Sequence, residues 1–239
     1  MMIRKYIPDF ITSMNIACGV VGVVFAFKDR LDIAFVMMLA AAVFDFCDGL
    51  AARSLHAYSD LGKELDSLCD CVSFGVLPAV MLHICSKTCM FTENWVCWTP
   101  LLIAVFSAIR LAKFNVDSRQ TSGFIGLPTP ACAMLVGAIC HYVASDQGSF
   151  ISDWMSGPVF VPVISAVLCY LLVCEIPMFS LKMHGDDPKP LRIKRLALAL
   201  IAVAAIVLCI LLHLEWSLAV LVVLLCYIVK NIIYAIVRI

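Results

Sequence analysis

The chain has 239 residues and a formal net charge of zero; 63% of its residues are hydrophobic and only 14% are charged. Its mean hydropathy is +1.02, whereas a soluble domain usually carries about 25% charged residues. This composition excludes an ordinary soluble protein. We therefore expect a polytopic membrane protein that contacts membrane lipids and has no nucleic-acid partner.

Apolar runs of the roughly 20 residues that cross a bilayer recur along nearly the whole chain. They predict an all-α membrane helix bundle of about eight spans that forms a single domain over residues 1–239. The first run follows Arg4 and Lys5, as in a signal peptide, but another span begins almost at once, so we interpret it as a permanent helix. The predicted spans are residues 11–27, 32–52, 66–86, 96–114, 128–146, 158–179, 195–213 and 216–236.

The distribution of lysine and arginine predicts the orientation of these spans, because both residues are enriched in cytoplasmic loops. With the N-terminus in the cytoplasm, only Lys28, Arg30 and Lys87 of the 17 Lys and Arg residues lie on the outer side. We therefore expect both termini in the cytoplasm. We also expect a multi-pass protein of the inner cell membrane. The end of the second span and the start of the third, which are discussed next, then face the cytoplasm.

Four aspartates lie where the second span ends and the third begins, in "DFCDGLAARSLHAYSDLGKELDSLCD" at residues 45–70. Asp45 and Asp48 are three residues apart, and Asp66 and Asp70 are four apart, so on helices each pair projects from one face. The chain doubles back between the pairs. The sequence therefore predicts that the two pairs of carboxylates face each other.

Four carboxylates in a partly dry site repel one another and lose hydration unless cations neutralise them. Ligation by oxygen alone favours hard ions, so we expect Mg²⁺ or Mn²⁺, as one or two ions, and Ca²⁺ stays open as a bound species. Because Mg²⁺ in proteins is usually shared between carboxylates and substrate phosphates, the aspartates also indicate a phosphorylated substrate.

The residues between the aspartate pairs fit such a substrate. Gly49 and Ala52 leave room for a group to approach the helix backbone, and Gly62 can admit a ligand or a neighbouring helix. Arg53 offers a fork of donors suited to phosphate, and Lys63 adds charge. Taken singly, the small residues also fit helix packing and Arg53 also fits the rule that cytoplasmic loops are positive.

The arrangement Asp45-x-x-Asp48-Gly49-x-x-Ala52-Arg53, followed after eight residues by Gly62-x-x-x-Asp66-x-x-x-Asp70, resembles the motif of the CDP-alcohol phosphatidyltransferase family at every defined position. Members of that family move a phosphatidyl group from a CDP-linked lipid to an alcohol and release CMP. The resemblance implies that the four aspartates hold one or two divalent ions on the diphosphate, with Asp70 also serving as the general base.

The same resemblance implies roles for residues around the aspartates. Gly49, Ala52 and Gly62 correspond to positions that shape the cytidine pocket, and Arg53 to a position near the phosphates. Asn15 resembles a polar residue that faces the diphosphate in relatives; a hydrogen bond between helices is an equally good interpretation.

The sequence after the motif resembles the phosphatidylserine synthase branch of the family in "LDSLCDCVSFGVLPA", "AIRLAKFNV" and "GLPTP". The resemblance implies CDP-diacylglycerol as donor and L-serine as acceptor. Arg110, Lys113 and Asn115 are candidates for binding the serine carboxylate, although Lys113 replaces the arginine usual in the family. Ser73 is a candidate pocket residue, and a hydroxyl bonded to its own helix backbone is the alternative.

Several alternatives remain open from the sequence. The acceptor can instead be glycerol 3-phosphate or an inositol phosphate, and an ether lipid can replace the diacyl donor. A divalent-cation transporter is the alternative from another class, but it leaves Gly49, Arg53 and Gly62 unexplained. The last three spans carry no assignable motif, and we expect them to form a lipid-facing scaffold and a homodimer surface. Most cysteines fit packing, and Cys85 and Cys89 can pair in an oxidising compartment.

Overall fold

A computed structural model describes residues 3–90, 94–117, 124–146, 148–178 and 189–237. The predicted all-α class is confirmed, since helices make up nearly all of these residues. The α-helices of the described ranges are α1 (Ile3–Ala26), α2 (Leu31–Ser54), α3 (Asp60–Asp70), α4 (Leu77–Met90), α5 (Leu102–Val116), α6 (Thr129–Ser145), α7 (Phe150–Ser156), α8 (Phe160–Val173), α9 (Lys189–Leu211) and α10 (Trp216–Val237).

Each of the eight predicted spans overlaps a helix of the described ranges, but the count of eight is not confirmed. Within the described ranges, five helical segments are long and apolar enough to cross a membrane, or six if α7 and α8 count as one span bent by 96°. That bend follows from Gly157 and Pro158, which break the helix between α7 and α8. Two further predicted spans correspond to shorter apolar helices, Thr129–Ser145 and Leu196–Leu211.

The third span is continuous from Asp60 to Met90 but changes its helical geometry on the way. A π-helical turn, Cys71–Val76, lies between α3 and α4. Such wide turns are rare and often mark functional sites. Its Gly75 lies so close to α5 that a side chain there would approach the Cβ atom of Ser107 to 3.1 Å. The turn thus begins immediately after Asp70 and packs tightly against the next span.

A two-stranded antiparallel pair connects the segment before α6 to the segment after α8. Strand β1 (Phe124–Ile125) pairs with β2 (Pro177–Met178). Gly126 follows β1 with φ of +75°, which glycine adopts without strain, and its N–H donates to the carbonyl of Ile176 at 2.9 Å. Leu127 N donates to Leu171 O at 2.7 Å. These bonds fix the entry to α6 against the end of α8.

The two helices that carry the aspartate motif, α2 and α3, both pack against α1. Helix α1 lies along α2 and also contacts α3 and the π-helical turn, while α6 packs against α2, α4 and α10. Cys85 and Cys89 lie one turn apart on α4 and form no disulfide. The other cysteines of the described ranges form none either. The bundle therefore positions the motif through helix packing without disulfides.

Candidate functional site

The two predicted pairs of aspartates meet as the sequence indicates. Asp45 and Asp48 lie in the last three turns of α2, and Asp66 and Asp70 lie in the second half of α3. Asp45, Asp48 and Asp66 each place a carboxylate oxygen within 4.8 Å of the other two. Ser59 starts α3 in the required direction, because its hydroxyl accepts a hydrogen bond from Gly62 N at 2.9 Å.

Helix α1 holds two of these carboxylates through buried polar side chains. Thr12 Oγ1 donates to Asp48 Oδ2 at 2.6 Å, and Asn15 Nδ2 donates to Asp70 Oδ1 at 3.1 Å. This bond is the hydrogen bond between helices that the sequence analysis gave as one interpretation of Asn15; its place facing the diphosphate stays a prediction. The sequence analysis missed Thr12; its spacing of one helical turn from Asn15 was the available signal.

Ser73 supports the contact of Asn15 with Asp70 by bonding the backbone of Asn15. Its Oγ donates to the backbone carbonyl of Asn15 at 3.1 Å. The close approach depends on Gly19, because a Cβ atom there would lie 3.0 Å from the Cα atom of Ser73. Ser73 is fully buried and thus belongs to the packing between α1 and the π-helical turn.

A first cavity of about 230 Å³ opens on one side of the aspartates. Its wall brings together the small residues of the motif with polar residues of α1, α2 and α3, including Thr12, Asp48, Gly49, Ala52, Gly62 and Asp66. At Gly62, a Cβ atom would lie 2.9 Å from both Asp9 Oδ1 and Ser59 Oγ, so a larger residue there would displace these two side-chain ends. The predicted cytidine-pocket residues therefore share one cavity.

Arg53 lies at the rim of this region. It is exposed in the last turn of α2, and its Nη1 lies 3.6 Å from the Cβ position of Gly49. The side chain therefore folds back over Gly49. A guanidinium at that place can reach a phosphate group entering the first cavity.

A second cavity, of about 460 Å³, opens on the other side of the aspartates. Its wall combines residues from distant parts of the chain, including Asp45, Asp66, Asp70, Arg110, Asn115 and Met134. Lys63 and Asp66 line both cavities. The carboxylates therefore stand between two spaces, each large enough for part of a substrate.

The predicted acceptor residues divide between different surroundings. Arg110 is buried and donates from Nη1 to Thr129 Oγ1 at 2.9 Å, and Asn115 Nδ2 donates to Ser67 Oγ at 2.8 Å. Both line the second cavity. Lys113 is exposed and lines a neighbouring cavity of only about 40 Å³, which it shares with Arg110. Neither cavity beside the aspartates includes Ser73 among its described lining residues.

The donor atoms of the aspartate group fit a hard divalent cation. Three carboxylate oxygens lie within 4.8 Å of one another. Hard ions prefer such oxygen ligands. The side-chain oxygen of Asn15 is buried beside Asp70 and has no hydrogen-bond partner among the described residues. Asp45, Asp48 and Asp66 would hold the ion, and Asp70 lies at the edge of this group with its carboxylate fixed by Asn15.

Comparisons with known proteins agree with this geometry. The family model described as CDP-alcohol phosphatidyltransferase matches residues 5–173. A protein of Mycobacterium tuberculosis named CDP-diacylglycerol--serine O-phosphatidyltransferase is 34% identical over 210 residues, which cover 84% of this chain and 68% of that protein. Proteins of the same name from Bacillus subtilis and Methanocaldococcus jannaschii are 30% and 31% identical, and the matches cover 77% and 75% of this chain and 95% and 90% of those proteins.

Proposed function

We propose, since this chain belongs to the CDP-alcohol phosphatidyltransferase family, that it transfers a phosphatidyl group from CDP-diacylglycerol to L-serine and releases CMP. The observation that carries the proposal is the position of the four aspartates between two cavities, one lined by the small residues of the motif and one by Arg110 and Asn115. The names of its relatives support serine as the acceptor.

The first cavity is the proposed site of the CDP group. Gly49, Ala52 and Gly62 leave space for the flat cytosine ring and the ribose along α2 and α3. Arg53 folds over Gly49, where its guanidinium pairs with the diphosphate. The diphosphate then points toward the aspartates, where the proposed transfer takes place.

Divalent metal is part of this proposal. Asp45, Asp48 and Asp66 hold one or two Mg²⁺ or Mn²⁺ ions, with Asp70 at the edge of the group. A bound ion supplies charge neutralisation on the diphosphate oxygens, which makes CMP a better leaving group. Thr12 keeps the Asp48 carboxylate in the orientation that ligation needs, because its hydroxyl bonds one of the two oxygens.

Asp70 is the proposed general base. Its carboxylate lines the second cavity and is held by Asn15. In the transfer, Asp70 accepts the proton of the serine hydroxyl while that oxygen attacks the phosphorus bearing the diacylglycerol. The bond from this phosphorus to the oxygen of CMP breaks, so that CMP departs and phosphatidylserine forms.

The second cavity is the proposed site of serine. Arg110 and Asn115 present donors to its carboxylate, and the hydroxyl then points toward Asp70. Lys113 acts from the neighbouring small cavity as a point charge. Ser73 acts by holding Asn15 rather than by touching the acceptor. Acceptors with a phosphate, such as glycerol 3-phosphate or an inositol phosphate, are the alternative that the experiment below separates.

The membrane setting completes the proposal. The excess of lysine and arginine on one side supports an active site that faces the cytoplasm from the inner cell membrane. Exposed apolar side chains along α9, among them Leu200, Val203 and Ile206, suit contact with lipid or with a second copy in a homodimer. A cation transporter has no observation in its favour once the two cavities and the family are considered together.

The experiment that tests this function is CMP release by the purified protein in detergent with CDP-diacylglycerol and Mg²⁺ or Mn²⁺. L-serine, glycerol 3-phosphate, an inositol phosphate and no acceptor are compared, with the chelator EDTA as the metal control. We expect release that requires both L-serine and metal. Release with another alcohol only would contradict the acceptor, and no release with any acceptor would contradict the whole proposal.

A further inference from the structure

Helix α10 contributes to the second cavity, although it lies outside the residues that the family model matches. The match ends at residue 173, whereas Leu224 and Tyr227 of α10 line the second cavity together with Asp45, Asp70 and Arg110. These two residues are three positions apart and so share one face of the helix. The sequence analysis found no motif in this helix and expected it to form part of a lipid-facing scaffold and a homodimer surface.

The position of α10 is fixed by packing at its first turn. Trp216 stacks on Phe35 of α2, with ring centroids 5.3 Å apart and planes 10° apart. Ser217 Oγ lies 3.1 Å from His141 Nδ1 of α6, and both side chains are buried. Because α2 also carries Asp45 and Asp48, this contact fixes α10 against one of the two helices that supply the aspartates.

Tyr227 is a polar side chain that α10 places in the wall of the second cavity. It is only 2% exposed, and Leu224, the other described residue of α10 in that wall, is aliphatic. A buried phenol keeps its hydroxyl where a polar partner is available. The second cavity offers such partners, since Asp45, Asp70 and Arg110 line it together with Tyr227.

The charges around the second cavity fix how an amino-acid acceptor can lie in it. Asp45, Asp66 and Asp70 form one wall and repel a carboxylate. Arg110 and Tyr227 line the same cavity and carry N–H and O–H donors, which suit the two oxygens of a carboxylate. The acceptor hydroxyl is then left to face Asp70.

We propose that Tyr227 is an acceptor-binding residue, whose phenol O–H donates a hydrogen bond to the carboxylate of the serine held by Arg110. The inference rests on the proposed function and deepens it, since it assigns selection of the acceptor partly to a helix outside the matched segment. Leu224, one turn earlier, limits the size of the acceptor on the same wall.

The test is the kinetics of Tyr227→Phe, which removes only the hydroxyl. We expect the KM for L-serine to rise about tenfold, because a hydrogen bond to a charged group is lost. The KM for CDP-diacylglycerol should stay within twofold of the wild-type value, and the melting temperature should be unchanged. Tyr170→Phe, on an exposed tyrosine of α8, is the matched control and should leave both KM values unchanged.

A second comparison separates ligand contact from a structural role. The double variant combines Tyr227→Phe with Arg110→Lys. It should raise the KM for L-serine by less than the product of the two single effects, since both side chains act on one carboxylate. If Tyr227→Phe fails to fold, Leu224→Phe should raise the same KM by adding bulk to the wall.

An unchanged KM for L-serine in Tyr227→Phe would overturn the inference, as would an equal rise in both KM values. Such a result with an active, serine-dependent wild-type protein would leave the proposed function intact. A wild-type protein that uses only another alcohol, or none, would overturn both, because the inferred contact needs an acceptor carboxylate.

Discussion

The two cavities that meet at the aspartates are built in different ways. The first is assembled mainly from the motif at residues 45–70, with α1 closing one side. The second draws on α2, α3, α5, α6 and α10, so its residues lie far apart in the chain. The residues of the family motif thus come from one short segment, whereas the proposed acceptor site depends on how five helices pack.

The largest expected effect on activity comes from Asp70, which lines the second cavity. Asp70→Asn should lower kcat by about 10²–10⁴-fold, the usual contribution of a general base. Binding of CDP-diacylglycerol, measured by isothermal titration, should persist because the first cavity is unchanged. Asp60→Asn, on the exposed first turn of α3, is the control and should stay active. Wild-type activity in Asp70→Asn would remove Asp70 as the base.

The aspartate group itself is tested through Thr12. Thr12→Val removes the hydroxyl that bonds Asp48 at 2.6 Å while keeping the shape of the side chain. The concentration of Mn²⁺ for half-maximal activity should rise about 10–100-fold, as is typical when a residue that orients a metal ligand is lost. Ser13→Ala, whose hydroxyl bonds only the backbone of Asp9, is the control. An unchanged Mn²⁺ requirement would show that Thr12 has no part in metal binding.

The first cavity is tested by filling it. Gly62→Ala places a Cβ atom 2.9 Å from Asp9 and Ser59, and such overpacking usually costs enough to weaken binding about tenfold. The KM for CDP-diacylglycerol should rise while the KM for L-serine stays constant. Gly148→Ala, in an exposed turn, is the control. If the KM for L-serine rose instead, the assignment of the two cavities would be reversed.

The smallest expected effect separates two neighbouring cations of α5. Arg110→Lys should raise the KM for L-serine about tenfold because a point charge replaces a fork. Lys113→Gln should change it by about twofold or less, since an exposed charge is screened. Steady-state kinetics of the two variants side by side make the comparison. Equal effects would place both side chains on the acceptor.

The sequence predicted the first cavity better than the second for physical reasons. The spacings of Asp45 with Asp48 and of Asp66 with Asp70 fix a shared helix face, so the aspartate group followed from local geometry. The spacing of Thr12 from Asn15 indicates a shared helix face but not which carboxylate Thr12 meets, because that depends on where α1 packs against α2. The motif therefore shows which residues converge but not which neighbours hold them.

Other predictions needed tertiary information. Lys113 is one turn from Arg110 and shares its helix face, yet of the cavities described above it lines only the small neighbouring one. Ser73 lies on a π-helical turn, which has more residues per turn than the period of 3.6 assumes. Tyr227 is 157 residues beyond Asp70 in the chain, and only the packing of α10 brings it to the cavity.

The most direct test of the two-cavity arrangement is an experimental structure with a CDP-lipid and L-serine bound. The account predicts the cytidine against Gly49, Ala52 and Gly62 in the first cavity, and serine beside Arg110 in the second with its hydroxyl toward Asp70. Serine bound in the first cavity, or cytidine bound beside Arg110, would contradict the account.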